Sequence, residues 1–204
     1  MRCSYEDQGF TLIEIIVVIA VIAILAAIMT PSIIKNIDDS KIARAKNDVQ
    51  VIGAAIADFY KDTGRWPSDN DPSDSTANYL YILESANGNT PTARGTGTGQ
   101  WINWPSARRD TFENQLLLND PKGTGNPYPT TGEFRWKGPY LTEIKTDPWG
   151  NKYYCNIIGL WYGRGYEATF VLSAGPDGVI NTDVSQLISA SPSLGGDDIG
   201  FRVK

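Results

Sequence analysis

The chain of 204 residues contains no histidine, only two cysteines, and charged residues at 20%. Each scarcity excludes a class of chemistry. Without imidazole, the commonest general base and metal-ligating nitrogen are missing, which argues against Ser-His-Asp triads and zinc centres. Cys3 and Cys155 lie far apart, and Cys3 falls in a segment expected to be removed. The mature chain is therefore expected to keep one free thiol and no intrachain disulfide, so a disulfide-stapled secreted fold fits poorly. The formal net charge is -5 and there is no basic stripe, which gives no footing for nucleic-acid binding. What is abundant is glycine, at 20 residues, and proline, at 12. With this length they suggest one loop-rich globular domain and a helical or membrane appendage.

That appendage is the N-terminal run GFTLIEIIVVIAVIAILAAIM, residues 9–29. From Phe10 to Ile34 the chain is predominantly apolar, enough for a helix to cross a bilayer core of about 30 Å. No small-x-small cleavage site follows it, so it reads as a span rather than a secretory signal. Arg2 lies on one side; Lys35, Lys41, Arg44 and Lys46 lie on the other. Taken alone, that count places the C-terminal part in the cytoplasm. A plain anchor does not account for Glu14, because an acid inside a span costs about 2.5–3.5 kcal/mol. Snorkelling toward the interface reduces that cost. A positive charge meeting the acid inside the apolar layer reduces it further, and cleavage between Gly9 and Phe10 would create such a charge at the new amino terminus.

Gly9-Phe10-Thr11-Leu12-Ile13-Glu14 resembles the processing motif of type IV pilins and type II secretion pseudopilins. The resemblance implies that a prepilin peptidase cuts after Gly9 and methylates Phe10. It also implies that Glu14 pairs with a neighbouring subunit's N-terminal amine as helices assemble into a filament. Two charges in an apolar core are tolerated only when paired, so Glu14 would set the register of the bundle. Pro31 matches the family's helix-bending proline. The leader departs from the family in carrying Glu6 and Asp7 where basic residues are usual.

Beyond Pro31 the pattern turns amphipathic. Ile34, Ile37, Ile42, Ala45, Val49, Ile52, Ile56 and Phe59 recur at spacings of about three to five, one apolar helical stripe. Gly64 and Pro67 supply a stop. One helix is expected from about residue 10 to 62. The reading divides the chain into a leader (1–9), a transmembrane and filament-core helix (10–34) and an amphipathic helix (35–63). A loop-rich variable insertion (64–135) and an antiparallel sheet with an acidic loop (136–204) complete it. The fold class is α+β.

The insertion is punctuated by turn signals, with TANYLYILES and TFENQLLL as apolar islands and NGNTPTARGTGTG as an exposed polar loop. Trp101 and Trp104 in WINW, with Trp136, suit either ordinary packing or a sugar-binding face. After Trp136, NKYYCNII and YEATFVLSA read as an antiparallel hairpin joined through WYGRG and lying on the amphipathic helix. DPWGN, residues 147–151, places Asp147, Pro148 and Gly150 in favoured turn roles. KGPYLTEIKTDPWGNKYYC and YKDTGRWPS are similar to stretches of major pseudopilins, which favours that branch over ordinary pilins.

SAGPDGVINTD and GGDDIG, residues 173–183 and 195–200, gather carboxylates on glycine-rich turns. By spacing alone they read as a solvated acidic turn, although such clusters also suit Ca²⁺, which takes about six to eight oxygens. The resemblance implies a calcium site with side chains from Asp177, Asp197 and Asp198 and carbonyls of Ala174 and Val179. The stretch between the aspartates is longer here, through DVSQLISASPSLGG, and Asn181 or Asp183 are possible substitutes.

The family likeness implies a structural subunit, not an enzyme. It would be a single-pass protein of the bacterial inner membrane with its globular domain in the periplasm. Its implied partners are further copies of itself, minor pseudopilins, the inner-membrane assembly platform, prepilin peptidase and secreted proteins. The alternatives are a type IV pilin of a surface fibre, for adhesion or motility, and a membrane-tethered carbohydrate-binding module or hydrolase.

Overall fold

A computed structural model describes residues 9–69, 71–73, 79–94, 101–160 and 165–204. One helix, α1, runs from Leu12 to Thr63, within two residues of the expected ends. Thr11 caps its start. Its end is closed by Gly64, whose N–H donates to Tyr60 O (2.8 Å) with φ at +68°, a conformation glycine adopts without strain. The chain falls into two compact units, Met1–Ser40 and Lys41–Lys204.

In the first unit every described residue is exposed. Its helical part is long and apolar enough to cross a membrane. Ile34 and Ile37, expected on the buried stripe, are exposed here. They belong to the unit whose described residues bury no apolar side chain, and burial along the stripe begins only beyond Ser40.

In the second unit α1 buries Ala45, Val49, Ile52, Ala55, Ile56 and Phe59. The sheet beneath it is built from β1 (Ile82–Glu84), β3 (Arg109–Thr111), β4 (Tyr154–Asn156), β5 (Phe170–Ser173) and β7 (Ile199–Arg202), in the order β3-β1-β4-β5-β7. The expected β4–β5 pair is antiparallel, with Tyr154 opposite Leu172 and Cys155 opposite Val171. The sheet as a whole is mixed rather than purely antiparallel, because β1 runs parallel to β3. That pairing comes from the segment 64–135, whose islands were legible only as short elements. TANYLYILES yields β1, and TFENQLLL yields a wide helical turn over Glu113–Leu117. The joining segment WYGRG lies mostly outside the described residues.

Side-chain alternation explains the core. Leu83, Cys155, Val171 and Ile199 face the α1 cluster, whereas Ile82, Tyr154, Phe170 and Leu172 join a second cluster with Trp101, Ile180 and Val184. Both faces of the sheet are therefore covered, so its central strands read as continuous apolar runs rather than alternating ones. A second pairing joins β2 (Thr92–Ala93) in parallel to β6 (Val179–Ile180). NGNTPTAR, expected as an exposed loop, is thus tied by its backbone to the acidic loop, while residues 95–99 lie outside the described residues.

Candidate functional site

Three regions carry the expected chemistry. The first is the start of α1. Thr11 N and Thr11 Oγ1 both donate to Glu14 Oε2, at 2.8 and 2.7 Å, and Glu14 N donates back to Thr11 Oγ1 at 3.3 Å. This is a reciprocal capping box, and its T-x-x-E signature was readable at residues 11–14. The box satisfies two of the helix's orphan N–H groups and holds the carboxylate in the first turn, where the helix dipole favours negative charge. Both incoming bonds fall on Oε2, so Oε1 keeps its lone pairs for another donor. Gly9 and Phe10, which flank the expected cleavage bond, are exposed just before this cap. The leader residues 1–8 lie outside the described residues.

The second region is the DPWGN turn. Gly150 N donates to Asp147 O (3.0 Å), which closes the expected turn. Asp147 does more than turn the chain. It is 2% exposed, and its Oδ1 accepts from Trp149 N (3.0 Å) and Asn151 N (2.7 Å) while its Oδ2 accepts from Ser173 Oγ (2.7 Å). Burial pushes this carboxyl up from its ordinary range, and the bonds from Ser173 and the turn amides counter that. Ser173 Oγ in turn accepts from Gly175 N (3.2 Å), so the turn is linked through the end of β5 to the acidic loop.

The third region is that loop. Asp177 N donates to Asp197 Oδ2 (3.2 Å), so the two stretches of acids meet despite the long chain between them. Asp177 Oδ1 accepts from Val179 N (2.7 Å). Asp198 is buried, and its Oδ2 accepts from Asn181 N (2.9 Å), Thr182 N (2.6 Å) and Thr182 Oγ1 (2.6 Å). Its Oδ1 is buried without a hydrogen-bond partner. Burial pushes the Asp198 carboxyl upward, and the neighbouring Asp197 adds to the effect. Among the two named substitutes, Asn181 Nδ2 donates to Val179 O (2.8 Å), and Asp183 Oδ1 accepts from Ser185 N (2.9 Å) within its own turn. Ala174 is buried at the end of β5.

An orphaned buried carboxylate oxygen beside a second acid fits a hard cation. Among the described residues, however, no three His, Cys, Asp or Glu side chains gather closely enough to hold a metal by themselves. Backbone carbonyls would have to complete the shell, which calcium accepts. Gly175 is essential to the loop's shape: its φ is +68°, and a Cβ there would lie 2.3 Å from Asp197 O. Gly175→Ala is expected to destabilise the chain by about 2 kcal/mol or more, as a left-handed non-glycine and a backbone clash combine. Its denaturant midpoint in detergent checks this.

The tryptophans do not form one face. Trp101 is fully buried among the second cluster, with Nε1 donating to Thr182 O (2.9 Å). Trp104 meets Tyr81 edge-on at 4.3 Å between ring centroids, while Trp136 packs on the α1 side of the sheet. Cys155 is a buried free thiol whose pKa is pushed up by burial, so it is held protonated and unreactive.

Comparison with known proteins converges on these regions. The prokaryotic N-terminal methylation motif matches residues 6–30, and type II secretion system protein G matches residues 115–189, spanning the DPWGN turn and the first aspartate of the loop. The type II secretion system core protein G of Pseudomonas aeruginosa is 31% identical over 148 residues, covering 72% of each chain. The core protein G of Escherichia coli is 26% identical over 184 residues, 90% of this chain and 91% of the relative. The fimbrial protein EcpC of Eikenella corrodens is 36% identical over 151 residues, 70% of this chain and 88% of the relative. No solved structure matches the chain. With the methylation motif at its head and the protein G signature across its turn and loop, the chain belongs to the type II secretion system protein G family, related to the type IV pilins.

Proposed function

We propose that this chain is the major structural subunit of a type II secretion pseudopilus, made as a precursor and polymerised through α1 to drive protein export. The observation that carries the reading is an exposed apolar half-helix bearing one pre-oriented carboxylate, joined to a unit with its own covered core. Such a helix needs lipid before assembly and other helices after it. Each exposed aliphatic side chain gains about 1.5–3 kcal/mol on burial. Repeated packing of one copy's helix on a different face of the next is a heterologous contact that does not close, and so builds a filament. The globular unit would sit on the periplasmic side of the inner membrane. Minor pseudopilins, the assembly platform and the secreted proteins would be its partners.

Mass spectrometry of the chain purified from membranes tests processing directly. The expected mature chain starts at Phe10 and carries one added methyl group on its amine. An intact leader would reduce the chain to a tethered module.

Calcium belongs to the same proposal. When bound it would neutralise Asp197 and Asp198 and fasten the loop to the end of β5. The carbonyls of Ala174 and Val179 would complete the ligands, and Asp177 would join them by turning out of its own turn, where its Oδ1 now accepts from Val179 N. Removing it with a chelator should lower the melting temperature of the full chain in detergent. At a calcium level of about 100 times Kd the bound ion contributes about 2.7 kcal/mol, or roughly 5–10 °C for a chain of this size. An unchanged melting curve would remove the ion from the account.

The 36% identity to a fimbrial protein favours a second reading, a surface fibre. Deletion of the gene separates the two: a pseudopilin loses secreted proteins from the medium, whereas a surface pilin loses fibres from the cell.

A further inference from the structure

The lengthened stretch between Asp177 and Asp197 is an excursion pinched shut at its neck. Gly195 N donates to Thr182 Oγ1 (2.9 Å), and Asp198 N donates to Gly195 O (3.1 Å). A Cβ on Gly195 would lie 2.4 Å from Asn181 O, so the two sides of the neck touch backbone to backbone. Further out, the Gln186 amide clasps Ser193 twice, donating from Nε2 to Ser193 O and accepting at Oε1 from Ser193 N, each at 2.7 Å. Residues 183–194 therefore form a loop whose ends are close.

Thr182 is the hub of that neck. It is 1% exposed, and its hydroxyl accepts from Gly195 while donating to Asp198 Oδ2. With two backbone N–H groups also aimed at Oδ2, one carboxylate oxygen is held at the neck by three donors and the other, Oδ1, is left bare. A buried acceptor left bare is costly on its own account. That cost is offset when a cation takes the free oxygen.

We infer that Thr182 is a positioning residue for calcium: it locks Asp198 so that Oδ1 is the oxygen offered to the ion, and its clasp on Gly195 lets the long loop keep the site. The inference rests on the calcium reading above. Partners that orient a metal ligand from behind change affinity by about 10–100-fold when removed. Thr182→Val keeps the shape and deletes the hydroxyl, whereas Thr182→Ser keeps the hydroxyl.

The test uses the full chain in detergent micelles, stripped with a chelator and titrated calorimetrically with Ca²⁺ alone. Thr182→Val should bind about tenfold more weakly than the unaltered chain, and Thr182→Ser within about threefold of it. The calcium-induced rise in melting temperature should shrink for the valine variant and persist for the serine variant. If the valine chain does not fold, Thr182→Ala is read in the same way. Equal calcium affinity in all variants, with melting temperatures lowered by the same amount with and without the ion, overturns the inference and leaves the calcium site standing. Absence of calcium binding by the unaltered chain overturns the site itself, and the role of Thr182 with it.

Discussion

Glu14→Gln should abolish filament assembly while leaving the chain inserted in the membrane. Glutamine keeps a carbonyl oxygen where Glu14 Oε2 now accepts from Thr11 N and Thr11 Oγ1, so the start of α1 survives. What disappears is the negative charge. If Glu14 pairs with the incoming subunit's amine, as the family likeness implies, that amine then has no counter-ion in the apolar filament core, and leaving one member of a buried pair alone costs about 3–5 kcal/mol. At about 1.4 kcal/mol per factor of ten, that is a loss of more than 100-fold in subunit association. Shearing cells and weighing sedimented filaments against membrane-bound subunit measures it. Thr11→Val offers the contrast: it removes the hydroxyl and keeps both the backbone donor and the charge, so a modest loss of helix capping and retained assembly are expected. Filaments of normal yield from the glutamine variant would sink the pairing account.

Asp147→Ala should strongly destabilise the globular unit. The substitution strips the partner from Trp149 N, Asn151 N and Ser173 Oγ at once, and all three are held against a carboxylate that is 2% exposed. Each charge-assisted bond is worth about 1.5–3 kcal/mol, partly cancelled by relief of the carboxylate's own burial. A net loss of about 3 kcal/mol is expected. Asp147→Asn, which keeps an acceptor for the turn amides, should lose less than half of that. Denaturant midpoints of the full chain in detergent compare the two. Ser173 and Gly175 connect this turn to the acidic loop, so the alanine variant should also loosen the calcium site proposed there.

Much of this was legible because it is local. The length of α1 followed from an apolar run, an apolar stripe and a glycine stop, all of which act within one or two turns. GFTLIE and DPWGN are contiguous strings, and the β4–β5 pair lies in neighbouring β-rich segments. The capping role of Thr11 was equally local, and its T-x-x-E spacing was there to be read.

The rest depended on contacts remote in the chain. β1 and β3 arise in a segment full of turn signals, and three residues of strand in each leave no periodicity to detect. Trp101 could not be assigned to core or surface until Thr182, 81 residues away, took its indole N–H. Asp147 was readable as a turn former, but the partner that makes it a buried anchor is Ser173 at the end of β5.

By itself, the order of residues determined the membrane-length helix, its carboxylate and the processing motif, because helix formation and apolar transfer are set by near neighbours and by side-chain type. Only the tertiary structure decided whether the separated aspartates meet, which carboxylate oxygen is left bare, and which side of the sheet Trp101, Trp104 and Trp136 cover. Those outcomes depend on how distant segments close on one another, and closure is a property of the packed chain rather than of any string within it.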